Sequence, residues 1–150
     1  MYFSIGAHPA FNCNLGDTLT FEYDETLYSE RIDRDSVITG DKDLILQNSN
    51  KIELTEHLFD KDALIFSNVK SNYVILNEKK AGKHIRFTFG DSPFLAIWAK
   101  PAAPFVCIEP WYGVNDSYEK TTDFSKKRGI QKLSSDEKFE FSWSAEFKED

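Results

Sequence analysis

A histidine and a glutamate about a hundred positions apart are the residues whose neighbours best suit them to move protons. His8 lies in Gly6-Ala7-His8-Pro9, and the proline holds it toward an extended conformation while interrupting regular strand pairing. A histidine presented at a strand end in this way can reach a cleft. Glu109 closes the apolar run Phe105-Val106-Cys107-Ile108 and precedes Pro110-Trp111, a setting in which a charge costs free energy unless it is paired. One group that is acidic and one that is basic at the same pH are what general acid–base catalysis requires. Each residue also has a plainer reading. His8 would be a structural histidine bonded to nearby backbone, and Glu109 the point where a strand meets solvent.

Flat aromatic surface lies next to these segments in Trp98, Trp111 and Tyr112. Sugars present apolar C–H faces that stack on such rings while their hydroxyls seek polar partners. Trp98 reads equally as core, whereas Trp111 and Tyr112, beside Gly113, suit a cleft wall. Asp62, just before the apolar run Ala63-Leu64-Ile65-Phe66, is a further candidate for substrate binding, although such an aspartate also serves to cap a turn. His57 and His84 have no metal-ligand spacing to each other or to Cys13 and Cys107. Phosphate loops, GxSxG elbows and CxxC pairs are missing too, so neither a metal nor an organic cofactor is expected.

Strands are the elements that must position these groups. Leu19, Phe21 and Tyr23 alternate with Thr18, Thr20 and Glu22; Ile85, Phe87 and Phe89 alternate with His84, Arg86 and Thr88. A third alternating stretch, 139–147, carries Phe139, Phe141, Trp143, Ala145 and Phe147 on one face. Shorter strands are expected at 43–47, 63–66, 73–76, 94–99 and 105–108, separated by punctuation such as Thr39-Gly40-Asp41 and Gly90-Asp91-Ser92-Pro93. Residues 117–127 could supply a helical turn or two, and nothing predicts a longer helix. The reading is an all-β protein, an antiparallel β-sandwich, in a single domain spanning 1–150.

Composition narrows the partners. With 18 basic and 25 acidic residues the net charge is -7, which repels a phosphate backbone, so nucleic acid is not expected. The longest apolar stretch, 94–99, falls far short of the roughly 20 residues of a membrane-spanning helix, and no membrane association is expected. The opening residues lack the pattern of a secretory signal, which makes the cytoplasm the default compartment. Two cysteines make no disulfide framework and are expected to be reduced and buried.

Taken together, Ser4-Ile5-Gly6-Ala7-His8-Pro9-Ala10-Phe11-Asn12 resembles the GxHPxFN segment of mutarotase-like aldose 1-epimerases. The stretch Ile97-Trp98-Ala99-Lys100-Pro101, running on to Phe105 through Gly113, is similar to that family's region around its catalytic glutamate. The resemblance continues through Lys127, Gly129-Ile130 and Leu133 to the closing strand. It implies a partial galactose mutarotase-like supersandwich, with His8 as general acid, Glu109 as general base and Asp62 as a substrate-binding residue.

What this implies is anomer interconversion of an aldohexose, with ring opening, rotation of the aldehyde and reclosure. Family members are about twice as long, so the resemblance is to a C-terminal half, and the remaining sugar contacts are expected upstream. The apolar opening Tyr2-Phe3-Ser4-Ile5, which leads straight into the histidine motif, points the same way. Strands without those upstream partners would expose apolar edges, for which a homo-oligomer or a separate N-terminal half is the expected remedy. A carbohydrate-binding or sensing domain without turnover is the alternative. A glycosidase pairing Glu109 with Asp62 or Asp116 is disfavoured because it leaves His8 without a role.

Overall fold

The alternation read from the sequence becomes a curled antiparallel sheet. The computed structural model describes residues 1–79, 82–119 and 121–149. Its strands are β1 (Tyr2–Phe3), β2 (Ile5–Gly6), β3 (Ala10–Asn12), β4 (Thr18–Ile32), β5 (Ile38–Glu53) and β6 (Leu64–Ser67). They continue as β7 (Tyr73–Asn77), β8 (Lys83–Thr88), β9 (Phe94–Trp98), β10 (Phe105–Tyr112), β11 (Gln131–Lys132) and β12 (Ser144–Glu149). Among the described residues, ten strands form one sheet along the path β12-β8-β7-β4-β6-β9-β10-β2, with β3 also on β10 and β5 also on β4. β1 and β11 form a separate two-stranded ladder. No described helix is long and apolar enough to cross a membrane.

One sheet face packs the main core. Leu19 and Phe21 of β4, Val74 and Leu76 of β7, Leu95 and Ile97 of β9, and Val106 and Ile108 of β10 meet there with Phe11 and Phe87. Each of these pairs sits two residues apart, as a period-two pleat demands. Two acidic side chains are buried beside this core, and backbone amides satisfy both. Asp17 accepts from the Asn14 and Lys79 amides at 2.7 and 2.9 Å. Glu25 accepts from the amides of Lys70 and Ser71 and from the Ser71 hydroxyl at 2.8 to 3.0 Å.

Three expected elements differ. Thr39-Gly40-Asp41 does not break the chain but lies inside β5, where Gly40 takes φ 95° and the ladder with β4 shifts register between Glu30 and Ile32. A glycine at positive φ lets a strand bulge and carry on. The strand expected over 139–147 forms only from Ser144. Upstream of it, ring packing takes the place of a ladder: Phe139 meets Phe3 and Tyr112 edge-on, Phe141 meets Tyr112, and Trp143 lies against Phe87. Of the helical potential at 117–127 there is one 3₁₀ turn, Phe124–Lys126, capped by Asp123; Lys120 lies outside the described residues. Cys13 and Cys107 are buried free thiols, each pushed up to about 11 chiefly by burial.

Candidate active site

The strand alternation of β10 sorts its side chains onto two faces. Val106 and Ile108 enter the core, which turns Cys107, Glu109 and Trp111 to the opposite face. His8 sits where β2 ends and β3 has yet to begin, and its neighbours fix it against β10 from both sides. The Ala7 amide donates to the Pro110 carbonyl at 3.1 Å, and the Ile108 amide donates to the Pro9 carbonyl at 3.2 Å. His8 therefore hangs beside Glu109 on a backbone that has little room to move.

The two side chains meet. His8 Nδ1 lies 2.6 Å from Glu109 Oε2, with the imidazole 64% exposed and the carboxylate 3% exposed. Burial pushes Glu109 above the usual carboxylate range, against the opposing pull of His8 and a smaller one from the Trp111 indole. The Trp98 ring stands 6.2 Å from the His8 ring and walls one side. Cys107 adds a sulfur, so that ligand atoms of His8, Cys107 and Glu109 all lie within 4.8 Å of one another.

Gly6 explains the first residue of the histidine motif. It pairs with Trp111 across the β2–β10 ladder, and a Cβ at Gly6 would sit 2.7 Å from Trp111 Cδ1. The five-membered side of the indole lies against the bare backbone of the strand that delivers His8. Positioning of the histidine and of the tryptophan is thus one arrangement.

A second buried acid shares this face. Glu109 opposes Ala96, Ala96 opposes Ile65, and Ile65 opposes Glu30, so all four project from the same side of the sheet. Glu30 is as deeply buried as Glu109, and Arg128 grips it with two bonds, Nη1 to Oε1 at 3.1 Å and Nη2 to Oε2 at 2.7 Å. Glu30 and Arg128 are absent from the candidates read in the sequence. The available signal was an acid in β4 beside Leu27 and Ser29, but its cation lies 98 residues away.

The other sequence candidates fall elsewhere. Tyr112 points to the opposite face of β10, donates its hydroxyl to Asp91 at 2.6 Å and packs on Phe139 and Phe141. Asp62 occupies a turn at φ 78°, where its carboxylate accepts from the Ala63 amide at 2.7 Å. It borders a different cleft, with Arg31, Asp43 and Lys61. His57 pairs with Asp60 at 2.9 Å on the surface. The fold brings together His8, Glu109 and Trp111 and sets Asp62 apart from them, while Tyr112 turns its ring to the other face of β10 but borders a shallow cleft with Trp111, Ser4 and Gly6.

Comparison with known proteins agrees with this architecture. No protein-family model matches the chain. It is 34% identical over 143 residues to Protein LacX of Lactococcus lactis subsp. lactis, in both the plasmid and the chromosomal form, a match covering 89% of the chain and 48% of the relative. The chain therefore spans about half the length of the curated relatives it matches. A galactose mutarotase related enzyme from Lactobacillus acidophilus superposes with a TM-score of 0.88 at 28% identity, over 99% of this chain and 52% of that one. A galactose mutarotase-like protein from Lactobacillus casei ATCC 334 gives 0.87 at 29% identity, over 99% and 54%. Strand order, pairing and these superpositions agree that the chain carries the galactose mutarotase-like β fold.

Proposed function

We propose that the chain corresponds to the C-terminal half of a mutarotase-like protein and that it interconverts the anomers of an aldohexose, with Glu109 as general base and His8 as general acid. The observation that carries this reading is the 2.6 Å contact between a buried carboxylate and an exposed imidazole. The anomeric hydroxyl and the ring oxygen are bonded to the same carbon, so the groups that serve them must be neighbours. Glu109 accepts the proton of the anomeric hydroxyl while protonated His8 donates to the ring oxygen, and the bond from C1 to that oxygen breaks. Rotation about C1–C2 turns the other aldehyde face inward. Reclosure runs the transfers backwards, with His8 taking the proton of the C5 hydroxyl and Glu109 returning one to the new anomeric oxygen. Trp98 and Trp111, on the same sheet face, offer rings for the apolar side of the sugar.

Polarimetry of freshly dissolved α-D-glucose and α-D-galactose tests this. An acid–base pair is worth about 10² to 10⁴ in rate, so His8→Ala and Glu109→Ala should each lose a factor in that range. Equal rates for wild type, both variants and buffer would refute turnover. A second reading, a sugar-binding or sensing domain, draws support from the direct bond between His8 and Glu109, which a reacting sugar has to open. Sugar binding by calorimetry with no acceleration of anomer exchange would favour it.

Self-association belongs to the same proposal. Phe147 is 70% exposed on β12, which ends the sheet and is paired only to β8 among the described strands.

A further inference from the structure

We propose that His8, Cys107 and Glu109 form a binding site for a single thiophilic divalent cation of the Zn²⁺ class. The three donors are an imidazole nitrogen, a thiol sulfur and a carboxylate oxygen, and ligand atoms of all three lie within 4.8 Å of one another. This mixed set suits zinc, whereas calcium and magnesium call for oxygen alone. Zinc takes nitrogen and oxygen at about 2.0–2.2 Å and sulfur at about 2.3 Å, which places tetrahedral donors roughly 3.5 Å apart. Rotations of the His8 and Glu109 side chains that shift their ligand atoms by about an ångström close the difference.

The backbone around the donors is set before any cation arrives. Cys107 and Glu109 are alternate residues of β10, which is paired with β9 on one side and with β2 and β3 on the other. The Ala7–Pro110 and Ile108–Pro9 backbone bonds hold His8 over the same strand. Donors on a doubly paired strand need little ordering on binding, which favours affinity. Glu109 and Cys107 are almost fully buried, while the exposed imidazole forms the entry side.

Coordination displaces the Cys107 thiol proton to solvent, forms the bonds to sulfur, nitrogen and oxygen, and breaks the bond between His8 and Glu109. Three protein ligands leave a fourth position open to water or to a sugar hydroxyl. With one donor atom of each engaged by the metal, His8 and Glu109 lose their bond to each other and much of their basicity, so anomer exchange should slow when the cation is bound. That consequence, and that alone, rests on the acid–base reading given above.

Motif spacing could not reveal this site, because its first ligand lies about a hundred residues from the other two. The fold closes that gap through the β2–β10 and β3–β10 ladders.

The test uses the full chain with Zn²⁺ and Co²⁺ chlorides alone. Calorimetry should show one equivalent of Zn²⁺ bound to wild type, with affinity at least tenfold weaker in Cys107→Ser and in His8→Gln and unchanged in His57→Gln. The Co²⁺ adduct of wild type should show a sulfur-to-metal charge-transfer band, a readout that needs no variant to fold. Zn²⁺ affinity that survives Cys107→Ser in a variant with native circular dichroism, or a Co²⁺ spectrum without the sulfur band, would overturn the proposal. Anomer exchange with and without one equivalent of Zn²⁺ is measured separately. A wild type that binds Zn²⁺ through Cys107 but never accelerates the exchange refutes the acid–base reading and leaves the metal site standing.

Discussion

Glu30 and Glu109 lie in one cross-strand row, with Ala96 and Ile65 between them, roughly 14 Å apart at three strand spacings. Both are buried, and the fold answers the two burials differently. Glu30 meets the guanidinium of Arg128, which stays charged at any ordinary pH, through two bonds. Glu109 meets an imidazole, the side chain that gains and loses a proton near neutrality. One acid is thereby held by a two-bond ion pair, and the other faces a partner that can trade a proton with it.

Glu109 gives a pH prediction. Burial raises it above its ordinary value of 4.5, so the folded protein holds that proton more tightly than the unfolded chain. Its contribution to stability is complete below 4.5 and is lost as pH rises through the folded-state value. Glu109→Gln does not titrate and escapes that loss. The melting temperature of Glu109→Gln relative to wild type should rise between pH 4 and pH 7; a difference that stays constant with pH would show that burial does not control this carboxyl.

Arg128→Met should leave the Glu30 charge buried without its cation. Breaking a buried pair from one side costs about 3 kcal/mol at the low end of the usual range, which suits a pair whose Arg128 is half exposed. Urea denaturation should register that loss, and the double variant Glu30→Met/Arg128→Met should recover much of it. A single variant as stable as wild type would remove Glu30 from the structural account.

Gly6→Ala drives a methyl to 2.7 Å from Trp111 Cδ1 and 3.1 Å from the Pro110 carbonyl. Overpacking of this kind typically costs about 1–3 kcal/mol. The indole also faces Glu109, so any catalysed anomer exchange should slow along with the drop in melting temperature. A variant matching wild type in both would mean that the indole has space to move aside.

The bare edge at β12 predicts concentration-dependent association. Light scattering at micromolar concentration should report a dimer or larger species, and Phe147→Lys should shift it toward monomer, because an edge charge discourages strand addition. A wild type that scatters as a monomer at those concentrations sinks the idea.

Sequence reasoning reached what local pattern encodes. Alternation marked β4 and β8, bounded apolar runs marked β9 and β10, and a proline marked where His8 had to emerge. It failed where distant partners decide. Phe139 and Phe141 read as strand residues because an edge-packed ring leaves the same alternating trace as a ladder. Tyr112 suited a cleft wall because it stands beside Gly113, yet the pleat sends its ring the other way from Trp111, onto Phe139 and Phe141. Glu30 was invisible because its cation comes from the far end of the chain.

β4 borders more of the sheet than any neighbour of its length could. Its first residues pair with β7, Glu30 pairs with β6, and β5 runs along its other edge. The route between the β12 end and the His8–Glu109 end of the sheet therefore passes through one strand. Of the pairings β4 makes, the one with β5 can zip from a local turn, whereas those with β7 and β6 close loops of about 35 residues and more. Folding is then a matter of waiting for distant strands to find a preformed template, and chains dominated by such non-local pairings fold on the slow side, in milliseconds to seconds.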